Sequence, residues 1–590
     1  MKILGLHFET HESSVALIEN DKILFAASEE RYSRIKMDES FPVLSIKNCL
    51  METRTQPKDI DIIAISGFSP LKNWFFYLKS FLIRKLFTKG KYFSIFERHS
   101  GTNKVVFKGI VGFFFNILFC TGLPQFIYIY LLKRLQIRPL FKGFRGKIVY
   151  VSHHFGHSAG ACFTSGFNDA LSVVIEGFDW EHSFVIEEFE NGRFKTVSQT
   201  PWPHSPGSFY RLATTILGFN YRRHAGKVTG LAAHGDPNKL YEKVKRLLFS
   251  DGLNMKTSPL VYTLCQEYVL KGDLPGYFAG SSKEDIAAAF QKRLEDVTVQ
   301  IIKRALKITG KNQIVLSGGV SANVIMNQNI HEIDGIKEIY IQPAMSDSGQ
   351  ALGIALYTYN EELKMKNQYL KSKRLNNVYF GPGFSDSEIK EALIREKVKF
   401  IRSESIAKDV AVVLADKKIV ARFDARMEYG PRALGNRSIL FHAGDKTSND
   451  WLNKNLNRTE FMPFAPSVLI DDLNDYFLNT TGAEYTAEFM NITFNCTEKM
   501  KNQCPAVVHI DGTARPNIVK STNNSGYYKI IKEYKKLTGI GVILNTSFNM
   551  HEEPIVCTPE DAIRSFVRGH LDYLAIGNYL VRNDKSQKNQ

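Results

Sequence analysis

No charged residue interrupts the chain from Gly109 to Leu132, a run of 24 residues bracketed by Lys108 and by Lys133–Arg134. As a helix, such a run is long enough to cross a bilayer. Its surroundings argue against a single crossing. The β-rich stretches on either side, 60–66 and 147–152, read as strands of one sheet, so both ends of the run stay on the same side of any membrane. Gly122 and Pro124 also break a helix near the middle. The wider segment 69–145 holds 19 aromatic residues, and 14 lysines and arginines against one acid, Glu97, which leaves it +13 of the chain's +16. Aromatic and basic side chains together suit the boundary of an anionic membrane, met by a re-entrant hairpin or by interfacial helices. A helical cap buried on the protein, or an oligomer interface such as that of a homodimer, would satisfy the same composition. Because the charge is confined to one segment, a nucleic-acid-binding surface is not expected.

The remainder is globular in composition, and 590 residues are too many for one core. Seven scattered cysteines with no C-x-x-C pair point to reduced thiols in the cytoplasm, not to a disulfide framework or zinc ribbon. The N-terminus reads as a strand, and Glu9 and Glu12 fall where a signal peptide needs apolar residues. The expected location is cytoplasmic, peripheral at the inner face of the membrane.

Residues 3–33 read as strand, turn and strands, with ETHESS as the turn. A hairpin whose turn holds small hydroxyl residues is how actin-like ATPase domains begin; its amides with Ser13 or Ser14 could meet a nucleotide phosphate. A plain hairpin is the simpler reading. His11 lies in this turn and would face the same cleft. The stretch VSHHFGHSAGACF follows a strand and opens a helix of small residues, with His153 and His157 four apart on one face. That spacing suits two imidazoles closing on one metal ion, although pairs at this spacing are commonly ordinary core or surface residues. His154 points elsewhere. Glu176 ends the strand LSVVIE beside Gly177, and Asp347 sits in a turn before the helix GQALGIAL; both are candidate carboxylates for the same ion. HAGKVTGLAAHGDP is a Gly-rich stretch around Lys227. Ser282 and Asp285 form an S-x-x-D box opening a helix to about Leu306. Gly318–Gly319, between a strand and a helix, permits close backbone approach to a phosphate, with Asn323 nearby.

Residues 361–375, polar and charged, read as a linker. Beyond it, DARMEYGPRALGNRSIL places Arg426, Arg432, Asn436, Arg437 and Ser438 around two glycines, a pattern suited to a polyanion such as a triphosphate. HIDGTARP adds Arg515. Asn545 and Ser547, after a strand, could read a base or a small acyl group.

HESSVAL, HHFGHSAGACF, GKVTGLAAHG, LSGGVSAN, SDSGQALG, ARMEYGPRALGNRSIL, DGTARP and LNTSFN…EPIVCTPEDA together resemble the O-carbamoyltransferases of the NodU/TobZ type over nearly the whole chain outside 69–145. The resemblance implies an α/β protein of two domains. An actin-like (ASKHA) domain, 1–360, would carry the hydrophobic basic insert 69–145, and an α+β YrdC-like domain, 376–590, would form a carbamoyl adenylate. It implies carbamoyl phosphate and ATP with Mg2+ as co-substrates. A divalent metal, Fe2+ or Mn2+, would be held by His153, His157 and Asp347, with Glu176 standing where Asp is usual. His11 is then the candidate base. Ser13, Ser14, Lys227, Gly318, Gly319 and Asn323 hold the adenylate, and Arg426, Arg432, Asn436, Arg437, Ser438, Arg515, Asn545 and Ser547 hold carbamoyl phosphate and ATP. The acceptor would be a hydroxyl of a small molecule or glycan. Departures from the family pattern are Glu12 for Asp, Met462 for Arg, Leu456 and Asn457 where a lysine is usual, and His551–Glu552 for Arg-Gly. A tRNA threonylcarbamoyl-transferase-like enzyme and a catalytically silent membrane scaffold are the rival readings.

Overall fold

The computed structural model describes residues 1–8, 10–67, 139–177, 182–446, 453 and 464–583. Nearly all of the basic aromatic segment, and Leu456, Asn457 and Met462, lie outside them. Among the described residues no helix is long and apolar enough to cross a membrane.

The N-terminal half contains the same strand order twice. In the first sheet β1 (Lys2–His7), β2 (Ser14–Glu19) and β3 (Lys22–Ser28) run antiparallel; β4 (Ile62–Ser66) and β5 (Lys147–Val151) add in parallel beyond β1. The stretches on either side of the uncharged run are thus neighbours in one sheet. In the second sheet β6 (Asp169–Ile175), β7 (His182–Glu190) and β8 (Arg193–Pro201) are antiparallel; β9 (Gln313–Ser317) and β10 (Glu338–Ile341) follow in parallel beyond β6. The orders β3-β2-β1-β4-β5 and β8-β7-β6-β9-β10 are equivalent, and this duplicated arrangement is the actin-like fold. Near-continuous apolar strands such as IIAIS and QIVLS have both faces covered, as parallel strands require.

Each sheet ends in a helix of small residues: α1 (His153–Ser165) after β5 and α2 (Gln350–Lys364) after β10. α2 packs on β1, β2 and β4, whereas α1 packs on β6 and β9, and the two helices pack on each other. Glycines allow this. A Cβ on Gly5 would come within 1.9 Å of the carbonyl oxygen of Ala351. α2 continues to Lys364, so the expected linker begins as helix. The rest of it lies on the N-terminal half: Ser372 Oγ donates to the carbonyl of Cys162 at 2.6 Å, and Leu370 is buried.

The stretch around Lys227 is a helix, Ala225–Ala232, despite its glycines. The box at Ser282 is half formed. Ser282 Oγ accepts from Asp285 N, but the Asp285 carboxylate turns to Asp236 N and Lys239 instead of to the Ser282 amide. That helix runs to Thr309.

The C-terminal half is an eight-stranded mixed sheet with Val420–Phe423, Arg437–His442 and Val542–Ser547 near its centre. Helices Ile406–Ala415 and Ser525–Thr538 cover one face.

Candidate active site and metal centre

The duplication brings the chemistry together. His153 and His157 stand on the first and second turns of α1; Glu176 follows β6, and Asp347 follows β10 by six residues. One ligating atom from each lies within 4.8 Å of the others, and all four residues are buried. His153 Nε2 is 3.1 Å from Asp347 Oδ1, His157 Nε2 is 3.1 Å from Glu176 Oε1 and 3.5 Å from Asp347 Oδ1, and the two Nε2 atoms are 3.1 Å apart. Gln350 Nε2 donates to the His153 carbonyl at 2.9 Å and pins the start of α1 to the start of α2. His154, turned away, meets Ser152 Oγ at 3.0 Å.

Two imidazoles and two carboxylates fit a divalent cation of borderline softness. The buried Asp347 Oδ1 receives no hydrogen bond while facing both Nε2 atoms, an acceptor that a cation would satisfy. Burial opposes ionisation of Asp347, but the imidazoles of His11 and His153 outweigh it and hold its carboxyl well below the ordinary range. Burial likewise opposes charging His157, yet Glu176 and Asp347 outweigh it, and its pKa is pushed up to about 9. The carboxylates are therefore ready as anionic ligands, whereas His157 gives up a proton when it binds a cation.

Asp347 Oδ2 faces the turn after β1. Thr10 Oγ1 donates to it at 2.5 Å, His7 Nε2 is at 3.5 Å and His11 Nδ1 at 3.7 Å. His11 Nδ1 also lies 3.8 Å from Glu12 Oε2. Burial works against the charged imidazole of His11, but Asp347 and Glu12 outweigh it and raise its pKa. Sequence reasoning missed His7 and Thr10. The only signal was a histidine ending an otherwise apolar strand.

Of the predicted adenylate residues, Ser14 and Gly319 touch the cluster, Ser14 Oγ donating to the carbonyl of Asp347 at 3.5 Å. Ser13 is buried and its N–H donates to the carbonyl of Asp38 at 2.7 Å; Ser14 opens β2. Gly318, at φ +93°, lies where a Cβ would come within 2.4 Å of the Ile175 carbonyl oxygen, and it donates to the Met345 carbonyl at 2.7 Å. The amide of Gly319 donates to Glu176. Lys227 is buried on its helix, and Asn323 caps the helix Val324–His331 while donating to Gln291 at 2.8 Å.

In the C-terminal half the motif arginines divide. Arg426 donates to the carbonyls of Phe380 at 2.7 Å, Gly381 at 2.9 Å and Leu24 at 3.2 Å. Arg437 is fully buried, 3.7 Å above the Phe423 ring, and donates to the carbonyls of Asp424, Ala425 and Asn436. Arg432 and Arg515 are half-buried. Asn436 Nδ2 donates to the Arg426 carbonyl at 2.8 Å, and Ser438 Oγ accepts from Gly435 N at 2.9 Å. Asn545 Nδ2 donates to the Ala433 carbonyl at 3.1 Å, and Ser547 ends the same strand. The loop itself wedges into the N-terminal half: Tyr429 Oη donates to the Ser348 carbonyl at 3.1 Å, one residue beyond Asp347.

The chain is a duplicated actin-like core with a buried histidine–carboxylate cluster, joined to a second half built on one mixed sheet. Two family models match it, Carbamoyltransferase N-terminus over residues 2–356 and Carbamoyltransferase C-terminus over 411–583. Nodulation protein NolNO of Sinorhizobium fredii is 30% identical over 580 residues, covering 97% of this chain and 79% of that protein. An uncharacterized protein of Methanocaldococcus jannaschii is 32% identical over 626 residues, covering 99% of each. Component A of the (R)-2-hydroxyglutaryl-CoA dehydratase of Acidaminococcus fermentans matches 61% of this chain with 98% of its own, at 16% identity and a TM-score of 0.33. The chain belongs to the carbamoyltransferase family. It is a transferase, and its homologues support transfer to oxygen.

Proposed function

We propose that the chain makes a carbamoyl adenylate in its C-terminal half and transfers the carbamoyl group, in the N-terminal cleft, to a hydroxyl of a sugar, glycan or natural product. The observation that carries this reading is the convergence of His153, His157, Glu176 and Asp347 on one point beside His11 and Ser14. The loop Arg426–Ser438, with Arg515, Asn545 and Ser547, takes carbamoyl phosphate and ATP; within it Arg426 and Arg437 set the shape of the loop through their carbonyl contacts. A divalent cation on the four-residue cluster would supply Lewis-acid polarisation of an oxygen of the intermediate. His11 Nδ1 is buried between Glu12 and Asp347, so Nε2 is the nitrogen left to take the proton of the attacking hydroxyl. Ser13, Gly318 and Lys227 would hold the adenylate, and the anhydride needs a site that excludes water.

The aromatic and basic composition of 69–145 supports contact with a membrane surface, which favours an acceptor held there, such as a lipid-linked saccharide. The test is pyrophosphate and AMP release from ATP with carbamoyl phosphate, followed by carbamoylation of membrane-extracted glycans. Release that ignores carbamoyl phosphate would remove the adenylate from the scheme. Failure to co-sediment with anionic vesicles would remove the membrane.

A further inference from the structure

The two halves also meet at a loop that follows Val542–Ser547. Glu552 lies in it at φ +61°, a left-handed backbone that glycine takes freely and other residues seldom do. Its carboxylate reaches the N-terminal half. Arg223 Nη1 donates to Glu552 Oε2 at 2.7 Å, and His224 Nε2 is 2.8 Å from Oε1. The amide of Asn220 donates to His224 Nδ1 at 3.3 Å, which leaves Nε2 as the nitrogen that donates to Glu552. Arg223 Nη2 also donates to the carbonyl of Lys36 at 3.4 Å. Two residues on, the carbonyl of Asp38 receives the amide of Ser13, at the end of the turn that carries His11. The other side of the loop is held by Arg34, itself at φ +61°, which donates to the carbonyls of Pro554 at 2.8 Å and Ile555 at 2.7 Å.

We propose that Glu552 is a positioning residue that ties the loop beyond Asn545 and Ser547 to the turn of His11 and Ser13, keeping the sites of the two halves in register. The links run from Glu552 to Arg223, to the segment Lys36–Asp38, and to Ser13. A charged side chain kept on backbone that disfavours any side chain marks a position where the contact outweighs the local strain. The functional part rests on the reading that an intermediate made in one half is consumed in the other; the structural part does not.

Glu552→Gly removes the carboxylate and suits the backbone, so the full chain is expected to fold. Hydrogen–deuterium exchange of the peptide spanning residues 10–15 is the deciding measurement. Exchange in E552G is expected to rise about tenfold. Arg223→Ala, which loses the bonds to both Glu552 and the Lys36 carbonyl, should raise it at least as much, and adding E552G to R223A should change it by less than about twofold. Unchanged exchange in E552G, or increases in the two variants that multiply in the double variant, overturns the coupling. With ATP and carbamoyl phosphate but no acceptor, pyrophosphate release should be several-fold faster in E552G, because the anhydride escapes to water as carbamate and AMP. Equal release alongside faster exchange overturns the hand-over role. If the native chain itself releases no pyrophosphate, the carbamoyl-adenylate reading fails while the exchange result still decides the coupling.

Discussion

A methyl group on Gly353 would come within 1.8 Å of the carbonyl oxygen of Gly156. α1 and α2 therefore touch backbone to backbone, and the start of α1 at His153 is held at a fixed spacing from Asp347, three residues before α2. Gly353→Ala is expected to force the helices apart at a cost of about 1–3 kcal/mol. Thermal unfolding would register this, and bound metal in the purified protein should fall with it. Native melting and native metal content would show that the contact is forgiving.

His157→Ala removes the donor that faces both carboxylates. Metal content by mass spectrometry should drop to background, and carbamoyl transfer should fall by about 100-fold or more. Carbamoyl-phosphate-dependent pyrophosphate release, which the proposed function gives to the other half, should persist. Transfer at the native rate in a metal-free H157A protein would sink the metal assignment.

Glu187 is fully buried, and burial pushes its carboxyl up to about 7 against the hydrogen bond from Ser158. An acid whose pKa is higher in the folded chain favours folding in its protonated form. Stability is therefore retained at low pH and lost as pH rises from the usual carboxylate range to about 7. Glu187→Gln keeps an acceptor for Ser158 without the ionisation. It should be close to neutral at pH 5 and stabilising by about 1–3 kcal/mol at pH 8. Denaturant midpoints at the two pH values check this; an equal effect at both would mean that the carboxyl does not titrate in this interval.

Arg426→Ala separates two roles. If the guanidinium serves backbone carbonyls, the variant loses about 1–3 kcal/mol of stability while the KM for carbamoyl phosphate changes little. A large rise in KM with an unchanged melting point would assign Arg426 to the phosphate instead.

Much of the site could be read from the chain because its signals are local. The pair His153 and His157 needs only helical spacing, Glu176 and Gly318 each close a strand whose apolar run is plain, and Asp347 sits in the turn six residues beyond such a strand. Thr10 was not legible: its hydroxyl is explained by Asp347, 337 residues away. The arginines of the C-terminal loop show the same limit. A guanidinium matches a phosphate and a set of converging carbonyls equally well, and only the folded backbone around Arg437 shows that carbonyls are present there. Asp285 fits a capping box by spacing, but a lysine and an amide some 46 to 49 residues upstream compete for its carboxylate.

The exchange of helices between the two sheets has a consequence for how the N-terminal half is made. A fragment ending after α1 would hold the first sheet complete but leave β1, β2 and β4 without α2, while α1 would have no second sheet to rest on. The complementary fragment would have the opposite deficit. Strand order alone suggests two modules, yet neither can close its own core, so they should melt in a single transition and tolerate no break between them. A ribosome synthesising this chain cannot finish the first sheet's core until residue 364 has emerged.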